Sequence, residues 1–144
     1  MTADRRDYPP NPIVGVGVVV RHQGKVLLIR RSKPPRVGQW SLPGGRQHLG
    51  ETVEEAARRE VQEEAGLPLG ACRLLTVVDL IERDPDGQVA WHYTLIDFVA
   101  DALHDQAVAG DDAAEAAWFT PAEADKAVAW AETRRILAMA LAAD

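Results

Sequence analysis

The 144-residue chain contains one cysteine, Cys72. A lone thiol closes no internal disulfide and matches no paired-thiolate zinc spacing, which excludes disulfide scaffolds and fits a reducing cytoplasm as the expected location. Long apolar runs are missing as well. Stretches such as Ile13 to Val20 fall far short of the ~20 residues that cross a bilayer, and the opening MTADRRDYPPNP lacks the apolar stretch of a signal peptide. No membrane partner is expected. Acidic residues are absent between Tyr8 and Gly50, although Arg21, Lys25, Arg30, Arg31, Lys33, Arg36 and Arg46 all lie there. The overall charge of −6 nevertheless argues against a nucleic-acid polymer as partner, because that binding relies on a basic footprint.

The sign flips immediately afterwards. Glu51 to Glu64 holds six glutamates against Arg58 and Arg59, so an acid-free half suited to an anion meets an acidic stretch suited to cations. A solvated helix face and ordinary strand-edge cations would give the same contrast. The length and 47% hydrophobic content suit one domain, expected over residues 13–144 behind a loose, proline-interrupted arm at 1–12.

Along the chain, the β-branched run Val14 to Val20, a turn at His22 to Lys25 and a return over Val26 to Ile29 read as a hairpin. Ser32 to Gly50 is rich in proline and glycine and reads as loop, with at most a short strand near Trp40. Thr52-Val-Glu-Glu55 has the form of a capping box, apolar residues recur at helical spacing from Val53 to Ala65, and Gly66 supplies a stop. Arg73 to Arg83 and Val89 to Val99, joined by Asp84-Pro-Asp-Gly87, read as a second hairpin. A short strand at Ala116 to Phe119 is followed by a helix from Thr120 and a final alanine-rich helix from Ala131 to Ala142, left open to pack inward or against a partner. These elements predict an α+β fold, an α/β/α sandwich around a mixed sheet.

Glu60, Glu63 and Glu64 stand at i, i+3 and i+4 of the expected central helix, so their carboxylates project from one face. Such like-charge pairs cost a bare helix roughly 0.2–0.5 kcal/mol each, and a bound divalent cation would reverse that sign. Clustered oxygen donors without histidine or cysteine select hard ions, magnesium or manganese before zinc. An exposed acidic face kept for solubility would show the same three residues. What surrounds them is less ordinary: Leu42-Pro-Gly-Gly45 just ahead, Glu51 at the helix mouth, and Arg59 placed to orient a neighbour.

The segment from Gly45 to Leu67 resembles the Nudix box, which reads Gly, five residues, Glu, seven residues, then Arg-Glu-apolar-x-Glu-Glu-x-Gly-apolar. All its defined positions are filled, by Gly45, Glu51, Arg59, Glu60, Val61, Glu63, Glu64, Gly66 and Leu67. At residue frequencies of roughly 5–10%, the seven single-residue positions match by accident on the order of once in 10⁸ registers. The flanking hairpins and terminal helices are similar to the family's fold, so the resemblance spans most of the chain.

The resemblance implies hydrolysis of the pyrophosphate bond in a nucleoside diphosphate linked to another group, with two or more Mg2+ or Mn2+ ions. It implies Glu60, Glu63 and Glu64 as metal ligands, the Gly45 carbonyl as a further one, and Glu51 acting through water or by holding the loop. Glu60 and Glu63 are the general-base candidates within the box, with Asp111, Asp112 and Glu115 as alternatives in a later loop. Arg59 is expected to position a box glutamate. Arg30, Arg31, Arg36 and Arg46 suit phosphate, and Trp40, Trp91 and Tyr93 suit stacking on a base, although lone arginines are commonly solvated and strand aromatics commonly core. Trp118 and Trp130 read as packing residues.

The segments 91–98 and 110–119 are similar to those of ADP-ribose pyrophosphatase-like members, which favours a small-molecule substrate such as ADP-ribose. The alternatives are a nucleoside triphosphate pyrophosphohydrolase that sanitises the nucleotide pool, a sensing module without turnover, and an RNA-end pyrophosphohydrolase. A homodimer is common among relatives and is left open.

Overall fold

The computed structural model describes residues 6–33 and 36–143. Among these, β1 (Ile13–His22) and β2 (Lys25–Arg31) form the first hairpin. Its turn is Gln23-Gly24, both at positive φ (49° and 80°), as a two-residue connection between right-twisted strands requires. After β3 (Trp40–Ser41) comes a strand that the glycine-rich loop concealed, β4 (Gly44–Arg46). It runs antiparallel to β1 with Gly17 opposite Gly44 and Gly15 opposite Arg46. The two backbones lie so close that a Cβ at Gly44 would collide with the Val16 carbonyl, which is why glycine here marks a close strand rather than a loop.

The capping box expected at Thr52 is present: Thr52 Oγ1 accepts from the Glu55 amide at 3.0 Å, and Glu55 Oε1 accepts from the Thr52 amide at 2.8 Å. It opens α1 (Val53–Ala65), which ends on Gly66 in the left-handed conformation. The second hairpin, β5 (Leu69–Arg83) and β6 (Val89–Ala102), is longer than its sequence pattern, as is β7 (Ala113–Phe119). A second capping box at Thr120 starts α2 (Pro121–Ala127), and α3 (Ala131–Ala142) follows.

Among the described residues, the path β3-β2-β1-β6-β5 makes one sheet, with β4 added on β1 and β7 on β2. The sheet is mixed: β1 and β6 run parallel, from Ile13 opposite Tyr93 to Arg21 opposite Asp101, and the other pairings are antiparallel. Side chains alternate across it. Val16, Val18, Val20, Leu27, Phe98 and Ala100 pack against Ala56, Ala57, Val61 and Ala65 of α1. Val19, Val26, Leu28 and Val99 pack against Ala124 of α2 and Ile136, Leu137 and Ala140 of α3. This is the expected α/β/α sandwich, and the alanine-rich α3 packs inward. Of the expected N-terminal arm, residues 1–5 lie outside the described residues. Tyr8 donates its amide to the Ala90 carbonyl at 2.7 Å and its hydroxyl to Asp84 Oδ2 at 2.8 Å.

Candidate active site

Packing of the α1 alanines on the sheet turns Glu60 and Glu64 into the interior, where they are 9% and 5% exposed, while the Glu63 side chain stays 41% exposed. Glu64 Oε1 accepts the Gly44 amide at 2.8 Å and Glu60 Oε1 accepts Arg59 Nη1 at 2.7 Å. Burial pushes the Glu64 carboxyl up to about 8, reinforced by the charges of Glu60 and Asp111 and opposed by the Gly44 bond and Arg31. Burial also raises Glu60, against the pull of Arg59. Gly45 on β4 completes the cradle, because a Cβ there would stand 2.5–2.6 Å from the Glu60 carboxylate.

Arg59 is the hub. Its Nε and Nη2 reach Glu51 at 2.6 and 3.0 Å, its Nη1 reaches Glu60 and lies 3.3 Å from Glu63, and its Nη2 also donates to the Arg46 carbonyl at 2.9 Å. The guanidinium, with the His48 amide at 2.9 Å, draws the Glu51 carboxyl down to about 2. Arg59 and Glu51 therefore fasten the 46–51 loop to α1.

A later loop closes the far side. The Val108 amide donates to the Ala65 carbonyl at 2.9 Å and the Gly110 amide to the Glu64 carbonyl at 3.2 Å, occupying carbonyls that the helix end leaves unpaired. This docking brings Asp111, at φ 53°, and Asp112 to the glutamates. A cavity of about 290 Å³ results, with Glu60, Glu63, Glu64, Asp111, Arg31 and Arg46 in its lining. Lys33 Nζ holds Asp112 Oδ1 there at 2.7 Å.

The chemistry of these donors fits a hard divalent cation: they are carboxylate oxygens, two of them on buried side chains whose burial costs free energy that a cation would offset. Among the described residues no three acidic, histidine or cysteine side chains converge on one point as they stand. Glu60 is turned to Arg59 and Glu64 to Gly44, so joint ligation requires these side chains to swing into the cavity.

A second cavity of about 270 Å³ lies on the α3 face of the sheet and shares Arg31, Gly44, Gly45 and Arg46 with the first. Trp40, Trp91, Tyr93 and Trp130 line it. Trp40 also packs edge-on against Phe119, ring centres 4.9 Å apart. Trp130, read from the sequence as packing alone, therefore borders a cavity too. Arg30 Nη2 and Glu115 Oε1 pair with each other at 2.7 Å across β2 and β7, and neither lines either of these cavities. A residue not singled out from the sequence, Asp97, lines the aromatic cavity. Its signal was an acid at an inward position of an otherwise apolar strand row.

This chain is 42% identical over 109 residues to the ADP-ribose pyrophosphatase of Methanocaldococcus jannaschii, an alignment covering 76% of this chain and 62% of that protein. It is 41% identical over 85 residues to human 8-oxo-dGDP phosphatase NUDT18, covering 54% of this chain and 25% of that protein. The chain thus spans less than two thirds of the length of these relatives. A crystal structure of a MutT NUDIX hydrolase from Burkholderia pseudomallei superposes with a TM-score of 0.76 at 31% identity, covering 90% of this chain and 98% of that one. With its acidic helix, glycine strand and arginine hub in place, and a NUDIX domain match from residue 11 to residue 140, this chain belongs to the Nudix family.

Proposed function

We propose that the chain is a divalent-metal-dependent hydrolase of the pyrophosphate bond in a nucleoside diphosphate linked to another group, with ADP-ribose or a similar ADP-linked compound preferred. The observation that carries this reading is the shared wall of the two cavities, Arg31 and Gly44 to Arg46. A ligand crossing it would have flat rings among the aromatics and its diphosphate beside the acidic helix. The name of the archaeal relative supports the choice of ADP-ribose.

In this reading Glu60, Glu63 and Glu64, with the Gly45 carbonyl, hold the cations. A divalent cation there supplies neutralisation of the pyrophosphate charge and acidifies water. Arg46 and Arg31 grip phosphate oxygens from the wall. Arg59 keeps Glu60 and Glu63 in register with the loop. Glu63, the most exposed of the three glutamates, takes the proton of the attacking water; Asp112 is committed to Lys33.

The test is hydrolysis of ADP-ribose, other ADP-linked sugars, dinucleoside compounds and nucleoside triphosphates with magnesium or manganese. Glu63→Gln should lower kcat by roughly 100- to 10,000-fold, the range for loss of a general base. AMP release from ADP-ribose, lost in the variant, is the expected result. A second reading, removal of damaged nucleotides, is supported by the name of the human relative and would be indicated by turnover of nucleoside di- or triphosphates alone. Tight binding with no turnover of any compound would make the chain a nucleotide sensor.

A further inference from the structure

The aromatic cavity contains a charged group that the hydrolysis reading leaves unused. Asp97 stands on β6 in the alternating row Tyr93, Leu95, Asp97, Val99 that faces α3, and it is 4% exposed. Among the described residues, no hydrogen bond reaches its buried Oδ2. From α3 the Arg135 charge attracts this carboxylate and the Glu132 charge repels it, but Arg135 is bonded to Glu132 and burial remains the larger effect. Such groups are rare because a buried carboxylate oxygen without a hydrogen bond forfeits its hydration.

The surrounding sequence makes room for this group. Gly17 lies opposite Asp97 across the parallel β1 and β6 pair, and a Cβ at Gly17 would sit 2.5 Å from Asp97 Oδ1. Packing alone would be better served by an aliphatic side chain at 97 and a larger residue at 17. Burial pushes the Asp97 carboxyl up to about 6, so near neutral pH it is an anion and can only accept hydrogen bonds. It borders the same space as Trp40, Trp91, Tyr93 and Trp130, whose rings suit the faces of a flat heterocycle.

We propose that Asp97 is the base-reading residue, its carboxylate accepting a hydrogen bond from the exocyclic amino group of a nucleobase held among these rings. The proposal rests on the reading of the chain as a nucleotide-binding enzyme and deepens it. A base that lacks the amino group leaves the buried carboxylate without this donor, so such a base binds more weakly.

The test compares binding of AMP and purine riboside monophosphate, which lacks the amino group and keeps N1 unprotonated, to the full chain by titration calorimetry. Wild type should bind AMP at least about tenfold tighter than the amino-free nucleotide. Asp97→Asn keeps the size and can turn either its oxygen or its N–H toward the ring, and Asp97→Leu offers neither. Both variants should bind the two nucleotides within about twofold of each other. Equal affinity of the wild type for AMP and the amino-free nucleotide, failure to bind either, or a preference that survives both substitutions would overturn the proposal. Because the readout needs no turnover, an AMP preference without hydrolysis of any compound leaves Asp97 as base reader and removes the enzyme reading. Hydrolysis without a base preference does the reverse.

Discussion

Asp97 also makes stability depend on pH in a direction opposite to most carboxylates. Its carboxyl titrates at about 6 in the fold and near 3.8 when exposed, so the folded state binds the proton more tightly. The cost of its charge is absent below about pH 4, grows through the interval, and is complete above pH 6. At ~1.4 kcal/mol per pH unit of displacement, that cost is about 3 kcal/mol. Asp97→Asn should therefore be more stable than wild type at pH 7.5, and the gap should close by pH 4. Denaturant titrations of both proteins at the two pH values check it, and a gap that stays constant or widens in acid refutes it. At Arg59, lysine would preserve the charge but not the simultaneous contacts with Glu51, Glu60 and the Arg46 carbonyl. Arg59→Lys is expected to lower kcat by roughly 10- to 100-fold, the cost of a 1 Å misplacement, with an unchanged circular dichroism spectrum.

At the scale of elements, α1 combines a packing task with a functional one, and its first turn is where the two can be separated. The reciprocal bonds of Thr52 and Glu55 satisfy amides at the helix start. Thr52→Ala should cost about 1 kcal/mol of stability while leaving kcat near wild type, because the glutamates stand two turns further on. Thermal melts and steady-state rates measure the two effects independently, and a large fall in kcat would show that the cap sets the geometry of the acids. The elements with strong local patterns, α1 and both hairpins, were legible in the sequence. β4 was not, because Gly44 and Gly45 carry the composition of a loop, and their pairing on β1 depends on a close approach that only the folded sheet creates.

For the whole molecule, the arrangement of two cavities on either side of the β4 wall ties stability to ligands. A cation bound among Glu60, Glu63 and Glu64 would favour the folded state by about 2.7 kcal/mol at a hundredfold excess over Kd. For a chain of this size that is a rise in Tm of roughly 5–10 °C. Scanning calorimetry with manganese, and again after a chelator is added, tests it. An unchanged Tm with millimolar metal would count against the acidic cavity as a cation site.

The acidic set, its helix, the capping boxes and the family resemblance were determined by the sequence alone, because each depends on residues within one or two helical turns or on a fixed local spacing. The partners of charged side chains on different strands were decided by tertiary structure. Arg30 sits in the acid-free stretch, yet its partner Glu115 comes 85 residues later and reaches it through the β2 and β7 pairing. Asp97 looks like one more strand residue until the parallel register sets it beside Gly17 and at the edge of the aromatic cavity. The docking of residues 108–110 on the end of α1, which brings Asp111 to the glutamates, is likewise a long-range event. Local periodicity specifies which face a side chain takes; the register between distant strands specifies what it meets there.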